Sequence, residues 1–118
     1  MNMADNPLQS PIKGVRWIRK SAIADIAGDI DLNTSPDFQQ GLLKILDDKP
    51  KRVIVNLHEV PYMDSSGVAS LVRLLSKARK QGAAVCLVGM NERVRNVFEI
   101  TRLDGIFEIH RTEKEALP

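Results

Sequence analysis

The sequence predicts a single α/β domain, with flanking helices and a mixed, mostly parallel sheet of about five strands whose N-terminal strand is antiparallel. Short apolar runs rich in β-branched residues alternate along the chain with longer segments whose apolar residues follow helical spacing. The first two runs are separated by a link of only three residues, which indicates a hairpin and therefore one antiparallel pair. The length of 118 residues suits one domain with its own core.

The N-terminal part of the chain divides into a tail and a hairpin. Residues 1–13 contain two prolines and no apolar period, which predicts a flexible tail and assigns the domain to residues 14–118. Strands are predicted over residues 15–18 and 22–27, joined by the short link at 19–21.

The middle of the chain alternates loop, helix and strand. A loop over residues 28–34 precedes a helix that begins at Ser35 and Pro36, where a capping hydroxyl and a proline suit the first turn. Pro50 disfavours helix at the residue before it. The apolar run at 53–57 follows and predicts a buried strand.

The last part of the chain repeats this alternation. A helix is predicted over residues 65–80, and Gly82 suits the left-handed position after its end. A strand follows over residues 83–88, then a helix that Asn91 can cap. A short final strand at 105–109 and one terminal helical turn complete the domain.

The composition argues against several classes of partner. A formal charge of +2, one Trp and one Tyr offer neither the charge nor the stacking surface of a nucleic-acid-binding protein. No apolar stretch approaches the ~20 residues of a membrane span. The N-terminus lacks the hydrophobic core of a signal peptide. We therefore expect a cytoplasmic protein that binds neither nucleic acid nor membrane.

The reactive residue types are too few for most enzymatic sites. Cys86 is the only cysteine and lies in an apolar run, which predicts a buried, inert thiol. The only histidines, His58 and His110, belong to no metal-ligating cluster and no serine–histidine–acid pattern. The sequence contains neither a phosphate loop nor a dinucleotide fingerprint. We expect no catalytic activity, no metal and no cofactor.

One polar segment lies where the strand at 53–57 has ended and the next helix begins, the edge of an α/β sheet at which ligands commonly bind. Either Asp64 or Ser65 can cap the helix, and its unpaired N–H groups and dipole suit a phosphate added to Ser65 or Ser66. Gly67 would leave space above the first turn for a ligand or another backbone. Taken alone, however, Asp-Ser-Ser-Gly before an apolar run is far more often just a helix cap.

Three segments together resemble one family. Met-Asp-Ser-Ser-Gly-Val at 63–68 is similar to the signature of the STAS domain in its bacterial anti-sigma-factor antagonist subfamily. Gly-Asp-Ile-Asp-Leu-Asn-Thr at 28–34 resembles the family's Gly-x-Leu-Asp-x-x-Thr, and residues 94–104 followed by Phe107 resemble its third-helix region. The resemblance spans about residues 15–117. It departs from the family pattern at Arg102, where a glycine usually ends the helix.

The resemblance implies a switchable binding module. An anti-sigma factor that is also a serine kinase would bind the unmodified domain and release its sigma factor. Phosphorylation would end this binding, and a serine phosphatase would reset the domain. The domain itself is expected to be a monomer. The alternative is a STAS domain without a switch, acting as a scaffold or as a cytoplasmic component of a signalling or transport assembly.

The same resemblance assigns residues to the site. Ser65, directly after the aspartate, matches the family's phosphoacceptor, with Ser66 as the alternative. Asp31 matches a loop aspartate that lies near this serine in the folded state. The expected binding residues are therefore Asp31, Asp64, Ser65, Ser66 and Gly67.

Overall fold

A computed structural model describes residues 10–118 of the chain. The strands of this part are β1 (Ile12–Ile18), β2 (Ser21–Ala27), β3 (Arg52–Glu59), β4 (Ala84–Val88) and β5 (Glu108–His110). Its α-helices are α1 (Ser35–Ile45), α2 (Ser65–Lys80), α3 (Glu92–Ile100) and α4 (Glu113–Ala116), and a 3₁₀ turn, Leu46–Asp48, follows α1.

The strands form one sheet in the order β1-β2-β3-β4-β5. β1 pairs antiparallel with β2, and each later neighbour pairs in parallel. Helices α1, α2 and α3 make the connections between the parallel strands, as βαβ units require. The mixed, mostly parallel five-stranded sheet predicted from the sequence is thus confirmed.

Several strand boundaries differ from the prediction by one or two residues, and the starts of β1 and β5 differ by three. β1 begins at Ile12, because the pairing with β2 extends to Ile26 and the Pro11 carbonyl accepts a hydrogen bond from the backbone N–H of Ala27 at 2.9 Å. The strand therefore includes the last two residues assigned to the tail, while residues 1–9 lie outside the described part. β5 begins at Glu108, since the preceding residues form a turn.

The two faces of the sheet are covered unequally. Helices α1 to α3 pack on one face, where alternate strand residues such as Ala24, Val55 and Leu87 join the main core. The opposite face carries a smaller apolar cluster beneath the C-terminal residues, formed by Ile23, Ile54, Cys86, Val88, Ala116 and Leu117. The site predicted at the end of β3 lies at the edge of this layered structure.

Within the smaller cluster, the side chain of Cys86 contacts the carboxylate of Glu108. The thiol of Cys86 is fully buried and lies 2.9 Å from a carboxylate oxygen of Glu108. Burial, followed by this hydrogen bond, raises the pKa of Cys86 to about 12, so the thiol stays protonated, in agreement with the inert role expected for it. The Cys86 contact, with smaller contributions from His110 and Arg52, lowers the pKa of Glu108 to about 2.

We expect Glu108 to make the domain more sensitive to acid. A carboxylate whose pKa is depressed in the folded state stabilises the fold above its unfolded pKa of about 4.5, and loses that contribution as the pH falls toward about 2. Urea unfolding between these pH values should therefore show a shallower fall in stability for Glu108→Gln. Glu92→Gln, at an exposed position in α3, is the control and should keep the steepness of the wild type.

Helix α3 ends in a left-handed residue that is not glycine. Arg102 has φ 61°, and the backbone N–H of Leu103 reaches back to the Phe98 carbonyl at 2.9 Å. The chain therefore keeps the helix ending that a glycine would form, and accepts the strain of a Cβ in this region.

Replacing Arg102 by glycine should stabilise the domain. Relief of the left-handed strain outweighs the greater freedom of glycine in the unfolded chain, and we expect a gain of about 0.5–1 kcal/mol in the free energy of unfolding. Arg102→Ala, which retains a Cβ, serves as the control for loss of the side chain. An equal gain from both variants would contradict this explanation.

Candidate functional site

The connection from β3 to α2 is fixed by pairing with a second loop. Met63 is buried and forms an isolated parallel bridge with Ile30. The N–H of Ile30 donates to the Tyr62 carbonyl, and the N–H of Asp64 donates to the Ile30 carbonyl, both at 3.0 Å. These contacts set the point at which the backbone leaves the edge of the sheet and enters α2.

Asp64 caps the helix that follows. Its backbone is extended, with φ −99° and ψ −173°, and its carboxylate accepts the N–H of Ser66 at 2.9 Å. Of the two capping residues that the sequence allowed, the structure thus selects Asp64. The hydrogen bond from the Ser66 hydroxyl, assisted by backbone N–H groups, holds the pKa of Asp64 below its usual value. A negative charge therefore lies directly before Ser65 at neutral pH.

The two serines differ in exposure and in bonding. The Ser66 hydroxyl donates to Asp64, and the side chain is half-buried in the first turn of α2. Ser65 is exposed, and its hydroxyl makes no hydrogen bond to any residue in the range 10–118. Ser65 therefore presents the more accessible hydroxyl of the two.

Gly67 is required for packing within the domain. It is buried, and a Cβ at this position would lie 2.6 Å from Ile30 Cγ2 and 2.6 Å from Met63 Cγ. The space above the first turn is thus filled by the domain's own Ile30 and Met63, and the expectation that a ligand could occupy it is wrong.

The loop that contains Asp31 lies alongside the β3–α2 connection. Because Asp31 follows Ile30, and Ser65 follows Asp64, the backbone pairing brings the two segments together. The carboxylate of Asp31 turns into its own loop, where it accepts the N–H groups of Asn33 at 2.9 Å and Thr34 at 3.1 Å. Within residues 10–118 it makes no hydrogen bond to Ser65.

The start of α1 corrects a detail of the sequence prediction. Thr34, rather than Ser35, occupies the capping position, and neither hydroxyl caps the helix. The Thr34 hydroxyl instead accepts the Asp31 N–H and donates to the Asp29 carbonyl, both at 2.9 Å. Thr34 therefore stabilises the loop that supports the site.

Two exposed apolar side chains belong to the same segments. Leu32 is 78% exposed on the Asp31 loop, and Tyr62 is 40% exposed just before Asp64. The guanidinium of Arg93 lies 6.0 Å from the centre of the Tyr62 ring, at the outer distance of a cation–π contact. None of these three residues was predicted from the sequence, where an apolar residue inside a polar loop was the only signal that could have indicated Leu32.

The described residues around the site offer few groups for metal binding or acid–base catalysis. Among residues 10–118, no group of three or more His, Cys, Asp and Glu side chains is arranged to hold a metal ion. His58 is exposed, and its backbone N–H donates to the side-chain oxygen of Asn56 at 3.0 Å. No helix in this part of the chain is long and apolar enough to cross a membrane.

The fold and the site together define a small α/β domain. It presents an exposed serine in the first turn of a capped helix that follows a parallel strand. A family model described as STAS domain matches residues 15–116, and the chain belongs to this family.

Curated relatives and a solved structure agree with this assignment. The chain is 35% identical over 91 residues to an anti-sigma-B factor antagonist of Listeria monocytogenes, with 76% of this chain and 79% of the relative covered. It is 30% identical to the protein of the same name in Staphylococcus aureus, over 76% of this chain and 84% of the relative. An anti-sigma factor antagonist from Mycobacterium paratuberculosis has the same fold, with a TM-score of 0.80, 23% identity, and 87% of each chain covered.

Proposed function

We propose that this chain is an anti-sigma-factor antagonist that acts by partner switching at Ser65 in the cytoplasm. The unmodified monomer binds an anti-sigma factor that is also a serine kinase, and the sigma factor is released. Phosphoryl transfer from ATP to Ser65 ends the binding, and a serine phosphatase restores it. The observation that carries the proposal is the exposed, unengaged hydroxyl of Ser65 beside the capping Asp64.

The geometry favours Ser65 over Ser66 as the acceptor. A phosphoryl acceptor must bring its oxygen into line with the leaving group of the nucleotide. Ser65 can do so without breaking a hydrogen bond to the described part of the chain. Ser66 would first have to break the hydrogen bond from its hydroxyl to the Asp64 carboxylate, at a cost of about 1 kcal/mol.

The exposed residues around Ser65 explain how modification ends binding. Phosphate adds about −1.5 to −2 charges next to the ionised Asp64. The positive end of α2 offsets about 0.3–1 kcal/mol of this change, so the isolated domain tolerates the phosphate. A partner that covers Leu32 and Tyr62 would bury the phosphate without a matching charge, at a cost of several kcal/mol.

Affinity capture from a lysate of the source organism tests the proposal. Wild type, Ser65→Asp and Ser76→Asp would each be immobilised and the captured proteins identified by mass spectrometry. Ser76 is exposed on α2, so its variant introduces the same charge on the same helix, farther from the site. We expect wild type and Ser76→Asp to retain a serine kinase that Ser65→Asp loses. A scaffold or transporter retained equally by all three would instead support the alternative without a switch.

A further inference from the structure

A groove lies at the end of the domain remote from Ser65. One cavity, of about 750 Å³, is lined by residues 18–21, 51, 52, 117 and 118, and a second, of about 530 Å³, by residues 49–51 and 80–82. Lys51 borders both cavities, which together are called the basic groove below. Ser65 and Lys80 are the two ends of α2, whose 16 residues span about 24 Å.

The groove gathers positive charge in a chain that carries little overall. The chain has 17 lysines and arginines and a formal charge of +2. Six of these basic residues line the groove: Arg19, Lys20, Lys49, Lys51, Arg52 and Lys80. No aspartate or glutamate is among the lining residues. Within residues 10–118, only Arg52 of the six forms an ion pair, with Glu108 at 2.8 Å.

The helix dipoles explain the positions of only two of these six basic residues. Lys80 lies in the last turn of α2, and Lys49 follows α1 and its 3₁₀ turn, so both face the negative end of a helix. Arg19, Lys20 and Lys51 flank strands instead. The positions of these three side chains are therefore not explained by a helix terminus.

The shape of the groove and its apolar residues indicate the chemistry of the partner. Ile18 is 44% exposed beside the cations, and Leu117 lines the larger cavity. A flat membrane surface would contact the rims and leave this recess empty. Stacking of nucleic-acid bases would need aromatic side chains, and none is among the described lining residues. An extended chain with carboxylates for the rims and an apolar side chain for the recess fits both features.

We propose that the basic groove binds an acidic polypeptide segment that carries at least one large apolar side chain. The carboxylates of the segment would contact Lys20, Lys51 and Lys80, and its apolar side chain would lie against Ile18 and Leu117. This interaction uses neither Ser65 nor the residues around it, so a partner could be held here while Ser65 is modified.

The test uses the whole chain and a defined probe, a fluorescein-labelled peptide of glutamates interrupted by two leucines. Its Kd would be measured by fluorescence anisotropy for wild type and for the triple variant Lys20→Gln, Lys51→Gln and Lys80→Gln. A second triple variant, Lys44→Gln, Arg111→Gln and Lys114→Gln, removes three exposed charges outside the groove and is the matched control. Backbone amide shifts of the wild type would locate the peptide.

Loss of three exposed charge contacts should weaken binding about tenfold in the groove variant and less than about twofold in the control. Amide shifts should concentrate at residues 18–21, 49–52 and 80–82. The proposal is overturned by equal losses in both variants, by shifts centred elsewhere, or by no saturable binding up to about 1 mM peptide. Binding of phosphatidylglycerol vesicles in place of the peptide would also overturn it, in favour of a membrane contact.

Discussion

Ser65→Ala should reduce phosphate incorporation by the cognate kinase to background, whereas Ser66→Ala should leave most of it. Ser65 supplies the accessible hydroxyl, so its removal abolishes the reaction at this position. The Ser66 hydroxyl contributes one hydrogen bond to Asp64, and its loss should slow modification by less than about tenfold. The measurement is transfer of labelled phosphate from ATP, with the modified residue located by mass spectrometry.

The paired design distinguishes the two serines directly. If Ser66→Ala abolished labelling and Ser65→Ala retained it, the assignment of roles would be reversed. Loss in both variants would be interpreted after comparing their unfolding curves with that of the wild type, because a shifted cap at Asp64 could disturb both. Ser76→Ala, on the exposed side of α2, controls for loss of a serine hydroxyl elsewhere.

Gly67→Ala should destabilise the domain by about 1–3 kcal/mol, although alanine normally strengthens a helix. The new Cβ would lie 2.6 Å from side-chain atoms of both Ile30 and Met63, which are themselves buried, so packed residues would have to shift. The same shift would displace the loop of Asp31, and we therefore expect weaker partner binding as well. Urea unfolding measures the first effect.

Gly105→Ala is the matched control for this prediction. A Cβ at Gly105 would meet no atom within 4 Å, and its φ lies outside the left-handed region. It should change the free energy of unfolding by less than about 0.5 kcal/mol. A stabilised Gly67→Ala domain would show that Ile30 and Met63 do not pack as closely as described.

The order of the elements could be predicted from the sequence because each signal is local. Apolar spacing distinguished strands from helices, and Asn91 and Gly82 marked a helix start and a helix end that the structure confirms. Less local features were harder to predict. The final strand begins at Glu108, after a turn, and the buried Phe107 before it packs edge-on against Phe98 of α3, with ring centres 5.7 Å apart.

The candidate site could be predicted only in part, because it also depends on contacts between residues that are distant in the sequence. The sequence singled out Asp64 and Ser65, but the difference between Ser65 and Ser66 depends on which hydroxyl turns toward the cap. The packing role of Gly67 depends on Ile30, which lies far away in the sequence. The basic groove combines four segments that are separated along the chain, so no short stretch of the sequence contains it.

The most direct test of the switch is calorimetric titration of the purified anti-sigma factor with this domain, before and after complete phosphorylation at Ser65. The account predicts that phosphorylation weakens binding by at least about a hundredfold, equivalent to about 2.7 kcal/mol. It also predicts that the free energy of unfolding of the isolated domain changes by less than about 1 kcal/mol. Equal affinity of the two forms, or loss of binding because the phosphorylated domain unfolds, would contradict the account.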